Sequence, residues 1–151
     1  MSEKYNWENV LETLEDPSKI VIASISPSVP AGIGDYFDMP AGSYLSENIV
    51  AACRDIGFDF VLDTNFSADL TIMEEAHELQ KRIEGNVNMP QFTSCCPAWV
   101  KYLEIFYPSL IKHLSTTRSP ISMQGAMIKT YFAEKKGINP ASIVHVAITP
   151  C

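Results

Sequence analysis

The sequence predicts an α/β fold: a parallel sheet of about four strands with helices on both faces. Three observations carry this expectation. Segments with apolar residues at helical spacing alternate along the chain with short apolar runs. The first run, Lys19-Ile20-Val21-Ile22-Ala23-Ser24-Ile25, is almost continuously apolar, as a strand covered on both sides should be. Prolines, glycines and capping residues punctuate the segments.

Taken in order, Asn6 to Asp16 reads as a short helix with Trp7, Val10, Leu11 and Leu14 on one face, and residues 1–17 form a leading helical segment closed by Pro17-Ser18. The strand from Lys19 to Ile25 is broken by Ser26-Pro27-Ser28. Residues 29–42, with Pro30, Gly32, Gly34, Pro40 and Gly42, read as loop. A helix follows from about Ser46 to Gly57, and Asp59 to Thr64 reads as the second strand. Asp69 to Glu84 is a long amphipathic helix with Ile72, Ala76, Leu79 and Ile83 as its buried stripe. Gln91 to Cys96 reads as the third strand, and Ala98 to Phe106 as a helix with Pro97 suited to its first position. Ser119-Pro120 opens a helix that runs to Lys136 and stops at Gly137; Ser142 to Ile148 is the last strand. In open parallel sheets ligands bind outside the carboxyl ends of the strands. Those ends hold Ser26-Pro27-Ser28, Thr64-Asn65, Cys95-Cys96-Pro97 and Thr149-Pro150-Cys151, so the candidate ligand cysteines are expected to meet at one edge of the sheet.

The chain has 151 residues, 46% apolar and 19% charged, which is one ordinary globular domain. No apolar run approaches the roughly 20 residues that span a bilayer, and Met1-Ser2-Glu3-Lys4 does not open a signal peptide, so a cytoplasmic location without membrane insertion is expected. A net charge of −7 argues against unspecific nucleic-acid binding, which needs a basic footprint.

The four cysteines are Cys53, Cys95, Cys96 and Cys151, too few for a secreted disulfide framework and without zinc-ribbon spacing. Adjacent cysteines rarely bond to each other, and in an extended segment they point to opposite faces. One thiol can therefore ligate while its neighbour does other work. Both stand at the start of a helix, where amide groups and the dipole favour thiolate, and thiolates select iron–sulfur clusters, zinc or Cu(I). Two small core residues are the plainer alternative. Cys53 lies on an apolar stripe and receives no function. Glu75 and Glu78 are neighbours on one helix surface, Glu75 at the margin of the apolar stripe; they are either partly desolvated proton carriers or a solvated face. His77, His113 and His145 share no spacing.

The run Phe92-Thr93-Ser94-Cys95-Cys96-Pro97-Ala98-Trp99 resembles the first signature of the iron-only, or [FeFe], hydrogenase catalytic domain. Ser26-Pro27-Ser28-Val29, Asp63-Thr64-Asn65-Phe66, Ala68 to Glu75, Lys129-Thr130-Tyr131 and Thr149-Pro150-Cys151 fit the same family in the same order. The resemblance implies an H-cluster in the complete protein: a [4Fe–4S] cubane joined to a two-iron subcluster that carries CO and CN⁻. It implies that Cys96 and Cys151 are two of the cubane ligands and that Cys95 exchanges a proton with the two-iron unit. By the same resemblance Glu75, Ser115 and Glu78 relay that proton, with the carboxyls held above their ordinary pKa. Pro27, Ser28 and Thr149 are expected to line the two-iron unit. Ala98, Thr149 and Ile121 depart from the commonest residues at their positions, which are glycine, methionine and glutamine.

The resemblance places residues 1–151 as a single partial domain, the first portion of the catalytic domain, without the later cysteine motifs. It implies an enzyme that interconverts H₂ with protons and electrons, with ferredoxin or a nicotinamide-linked partner. The segment by itself is expected to be inactive, to hold cluster weakly or not at all, and to dimerise through uncovered apolar surface. A non-catalytic relative of the iron–sulfur assembly type and an H₂-sensing member of the family are the alternatives.

Overall fold

The structure, a computed structural model, describes residues 6–150. Cys151, expected as a cluster ligand, lies outside the described residues. Two compact units are distinguished: residues 6–64 with Gly125–Pro150, and Asn65–Gln124.

The first unit is built on a parallel sheet of three strands in the order β2-β1-β3, where β1 is Ile20–Ile25, β2 Phe60–Asp63 and β3 Ile143–Ile148. The first strand in sequence is thus central, and its side chains alternate between two cores. Val21, Ala23 and Ile25 pack with Val10 and Leu14 of α1 (Trp7–Leu14) and Ile49 and Cys53 of α3 (Ser46–Ile56). Ile22 faces the other way, onto Ile128, Phe132 and Ala133. Those residues belong to the helical stretch formed by α6 (Pro120–Met127), a π-helical turn Ile128–Phe132 and α7 (Ala133–Lys136). Full burial of one such isoleucine is worth about 1.5–3 kcal/mol, and Ile22 is fully buried. Helices on both faces are therefore as the apolar runs imply. The register pairs Ile25 with Asp63 and with Ile148. Asp59 lengthens the pairing through a side-chain carboxylate that accepts the Val21 N–H at 2.7 Å.

Two expectations about this unit need correction. Residues 29–42 are not all loop: α2 (Ser28–Gly32) and a 3₁₀ turn Ile33–Phe37 occupy the first part. Pro30 sits within the first turn of α2, where its missing N–H has no partner to lose. The helix that ends at Lys136 is interrupted by the π turn, though Gly137, at φ +65°, stops it where a left-handed cap favours glycine.

The second unit holds α4 (Asn65–Gly85) and α5 (Pro97–Phe106). The strand expected at Gln91–Cys96 does not form. Phe92 and Leu114 make one isolated parallel bridge, with Phe92 N–H donating to the His113 carbonyl and Ser115 N–H to the Phe92 carbonyl. Beyond it, Ser94 bonds the Thr117 carbonyl with its hydroxyl (3.1 Å), and Pro97 has no N–H to extend a ladder. The sheet therefore has three strands, and Cys95-Cys96 do not end one of them.

The buried stripe of α4 is also not the expected one. Ile72 is 64% and Ile83 60% exposed, whereas Ser67, Thr71 and Arg82 are buried with Glu75 and Glu78 half-buried between them. Spacings of four, four, three and four put these five polar residues on one face. α4 turns its chemistry inward. Among the described residues, no helix is long and apolar enough to cross a membrane.

Candidate active site

The inward face of α4 is organised around Glu78. Its carboxylate accepts the Ser115 hydroxyl at 2.7 Å, the Thr116 N–H at 3.0 Å and the Arg82 guanidinium at 2.6 Å. Burial pushes the Glu78 carboxyl upward, but the Ser115, Arg82 and Thr116 hydrogen bonds and the Arg82 charge outweigh it and hold it below its usual range. Sequence reasoning expects carboxyls held high along a relay; for Glu78 the direction is reversed, because the Ser115 hydroxyl and then Arg82 stabilise its anion.

Arg82 is the member of this constellation that the sequence reading missed. Besides Glu78 it donates to the carbonyls of Leu114 (2.6 Å), His113 (3.1 Å) and Asn88 (3.2 Å), which ties α4 to the segment that carries Ser115. A signal was present: Glu78 and Arg82 are four apart, with the acid nearer the N-terminus, the favourable order for a helical pair. Ser115 is buried, and its oxygen also accepts the Thr117 N–H at 3.1 Å. The hydroxyl thus has one donor bond, one accepted bond and one lone pair to spare.

The thiols are held by the segment alongside. Trp99 Nε1 donates to the Thr93 carbonyl (3.2 Å) and Ser94 Oγ to Thr117, which moors the backbone just before Cys95. Cys95 and Cys96 are exposed and free of any disulfide. Cys96 is the extended N-cap residue of α5 (φ −97°, ψ 113°), with Pro97 in the first turn as the sequence implies. Cys95 and Ser115 line one open cleft of about 510 Å³, together with Ser94, Thr117 and Arg118. Glu75 is not on that cleft; it is half-buried on the same face of α4, and its backbone carbonyl accepts Gln91 Nε2 at 3.1 Å. The structure therefore joins Glu78 to Ser115 by a direct bond, shares a cleft between Ser115 and Cys95, and places Glu75 one turn before Glu78.

In the first unit, Ser26 N–H bonds the Ile148 carbonyl at 3.0 Å, one step past the paired ends of β1 and β3. Exposed Pro27 and Ser28 follow β1, and half-buried Thr149 follows β3, so the three expected lining residues gather at adjacent strand ends. Cys53 is buried on α3, and burial pushes its thiol up, as befits a core residue.

Cys96, a free and exposed thiol on an extended helix cap, suits an iron–sulfur ligand, since such clusters take cysteine thiolates. Among the described residues no three His, Cys, Asp or Glu side chains group as a ligand set.

This α/β chain, with a thiol pair and a partly buried Ser–Glu–Arg constellation, has close counterparts. A profile of the family described as "Iron only hydrogenase large subunit, C-terminal domain" matches residues 19–151. The chain belongs to this family. Iron hydrogenase 1 of Clostridium pasteurianum is 44% identical over 151 residues, covering 100% of the chain and 26% of that protein. The periplasmic [Fe] hydrogenase large subunit of Nitratidesulfovibrio vulgaris is 43% identical, over 99% of the chain and 36% of that protein. The solved structure of an apo [FeFe]-hydrogenase HydA1 variant from Chlamydomonas reinhardtii superimposes with a TM-score of 0.88 at 41% identity, covering 97% of the chain and 38% of that one. A cytosolic Fe–S cluster assembly factor, NAR1 of Botryotinia fuckeliana, is 34% identical over 93% of the chain and 27% of its own length. The chain thus spans between about a quarter and two fifths of these relatives.

Proposed function

We propose that the chain is part of an iron-only hydrogenase that interconverts H₂ with protons and electrons at an H-cluster. The observation that carries this reading is the pairing of Ser115 with Glu78 at the cleft that Cys95 also lines. When bound, a [4Fe–4S] cubane with its two-iron CO/CN⁻ unit would relay electrons and provide the place where the H–H bond forms or breaks. Cys96 and Cys151 would hold iron of the cubane together with further ligands, and Pro27, Ser28 and Thr149 would line the two-iron unit.

The chain's own residues handle the proton. Cys95 Sγ gives or takes it at the cleft. Glu75 and Ser115 carry it, and the Ser115 hydroxyl, already donating to Glu78 Oε2, hands it on by accepting at its spare lone pair. Glu78 takes it from Ser115 at the far end, its carboxyl held below the usual range by the hydrogen bonds from Ser115 and Arg82.

Ferredoxin or a nicotinamide-linked protein supplies or takes the electrons, and a cytoplasmic location accompanies this reading. The test is infrared spectroscopy of the full-length parent protein after assembly with a two-iron cofactor. CO and CN⁻ stretching bands together with hydrogen evolution are expected. A protein that holds cubane clusters alone and evolves no hydrogen would instead be of the assembly-factor type, a reading to which the NAR1 similarity lends support.

A further inference from the structure

The relay reading gives no work to Gln91, yet its side chain reaches the turn of α4 that carries Glu75. Its Nε2 donates to the Glu75 carbonyl on α4 (3.1 Å), and it lies four residues before Cys95. Its backbone is fixed on either side. His113 Nδ1 lies 3.0 Å from the Pro90 carbonyl, and Phe92 bonds His113 and Ser115 through both its N–H and its carbonyl. In an extended segment consecutive side chains point oppositely. Phe92 packs edge-on against Trp99 and tilts over His113, which leaves Gln91 turned to α4.

The second polar atom of the amide is the informative one. Gln91 Oε1 is buried, and no donor of the described residues reaches it. The amide cannot be turned round to cure this, because the Glu75 carbonyl demands the N–H end. A buried acceptor left without a donor costs more than the single bond from Nε2 to a carbonyl returns. Methionine or leucine would fill the same space without that cost. Buried polar atoms of this kind are met by ordered water.

We propose, on the relay reading of Cys95, Ser115 and Glu78, that Gln91 is a positioning residue: Nε2 fixes the Glu75 turn to the thiol-bearing segment, and Oε1 anchors a buried water beside that turn. The water is a proton-bearing O–H held at the junction of the two segments, and Gln91 keeps their spacing while the proton passes.

The test uses the full-length parent protein as wild type, Gln91→Met and Gln91→Glu. Methionine keeps the shape and loses both polar atoms; glutamate keeps the acceptor and loses the donor. A crystal structure at atomic resolution is expected to show a water within hydrogen-bond distance of Gln91 Oε1 that the methionine variant lacks. Hydrogen evolution followed against pH is expected to fall about tenfold in Gln91→Met with a displaced profile, and to be intermediate in Gln91→Glu, which keeps the acceptor for the water but leaves the Glu75 carbonyl without its donor. A wild-type structure with no donor at Oε1 overturns the proposal, and this needs no variant to fold. So does a methionine variant that melts earlier but keeps the wild-type pH profile, since that is packing alone. If Cys95→Ser and Glu75→Gln leave turnover untouched, the relay itself falls, while the crystallographic water still decides whether Gln91 anchors one.

Discussion

At the scale of single residues, Glu78 and His145 show how burial and partners set protonation. Glu78 lies below its ordinary value, so the stability it contributes is complete above about pH 4.3, where the unfolded carboxyl is ionised, and is lost as pH falls through the folded value. Glu78→Gln should lower stability by about 1–3 kcal/mol at neutral pH, because the Arg82 guanidinium loses its anion. Urea unfolding at neutral and acid pH checks this: the loss should shrink as pH drops below that window. His145 is depressed by burial first and by the Lys129 charge second, while its Nε2 meets Ser24 Oγ at 2.8 Å. The unfolded state then binds the proton more readily, so stability falls as pH drops from about 6.5 toward the folded value. His145→Gln should flatten that part of the profile, as read by melting temperature from about pH 7 to about pH 5. Cys95, Cys96, Glu75, Glu78 and Ser115 were candidates through a resemblance whose motifs keep a fixed order, and of these Ser115 and Glu78 bond directly. Arg82 was not legible in the sequence, because a surface helix pair and a buried clamp share the same i, i+4 spacing; only the carbonyls of His113 and Leu114 reveal which it is.

At the scale of elements, the sequence pattern reads best where apolar residues alternate against a completed core. β1 and its flanking helices follow from Ile20 to Ile25 alone, since each face of that strand finds its own cluster. The pattern fails at Gln91–Cys96, where β-prone residues make one bridge and side-chain hydroxyls take over the bonding. It fails again on α4, where a stripe of Ile72, Ala76, Leu79 and Ile83 looks like a core face but the polar face is the inward one. The packing of α6 offers a sharper test. A Cβ at Gly125 would stand 3.2 Å from His145 Nδ1, and the far side of that ring is engaged by Ser24. Within a helix, glycine to alanine normally gains about 1 kcal/mol, whereas forced overpacking costs about 1–3 kcal/mol. Gly125→Ala is therefore expected to destabilise the protein on balance, by about 1 kcal/mol or more. Differential scanning calorimetry measures the sign; a stabilised variant would show that the imidazole gives way freely.

At the scale of the molecule, the chain carries much uncovered apolar surface. Tyr102, Phe106 and Tyr107 at the end of α5 are 45%, 64% and 49% exposed, with the Phe106 and Tyr107 rings 5.0 and 5.7 Å from that of Tyr102. Patches of this kind mark surfaces that associate, so the 151-residue chain alone is expected to self-associate in light scattering at micromolar concentration, and a stable monomer would count against this. The chain covers 26% of the Clostridium pasteurianum relative and 38% of the Chlamydomonas reinhardtii structure. The central claim is that Cys95 passes protons into the Ser115–Glu78 pair. Its most direct test is hydrogen evolution by the assembled full-length parent, wild type against Cys95→Ser, with cluster content verified by infrared spectroscopy. Loss of turnover by a factor on the order of 10²–10⁴ with the cluster bands retained is the predicted result. Full activity in the serine variant, with the same bands, would contradict it.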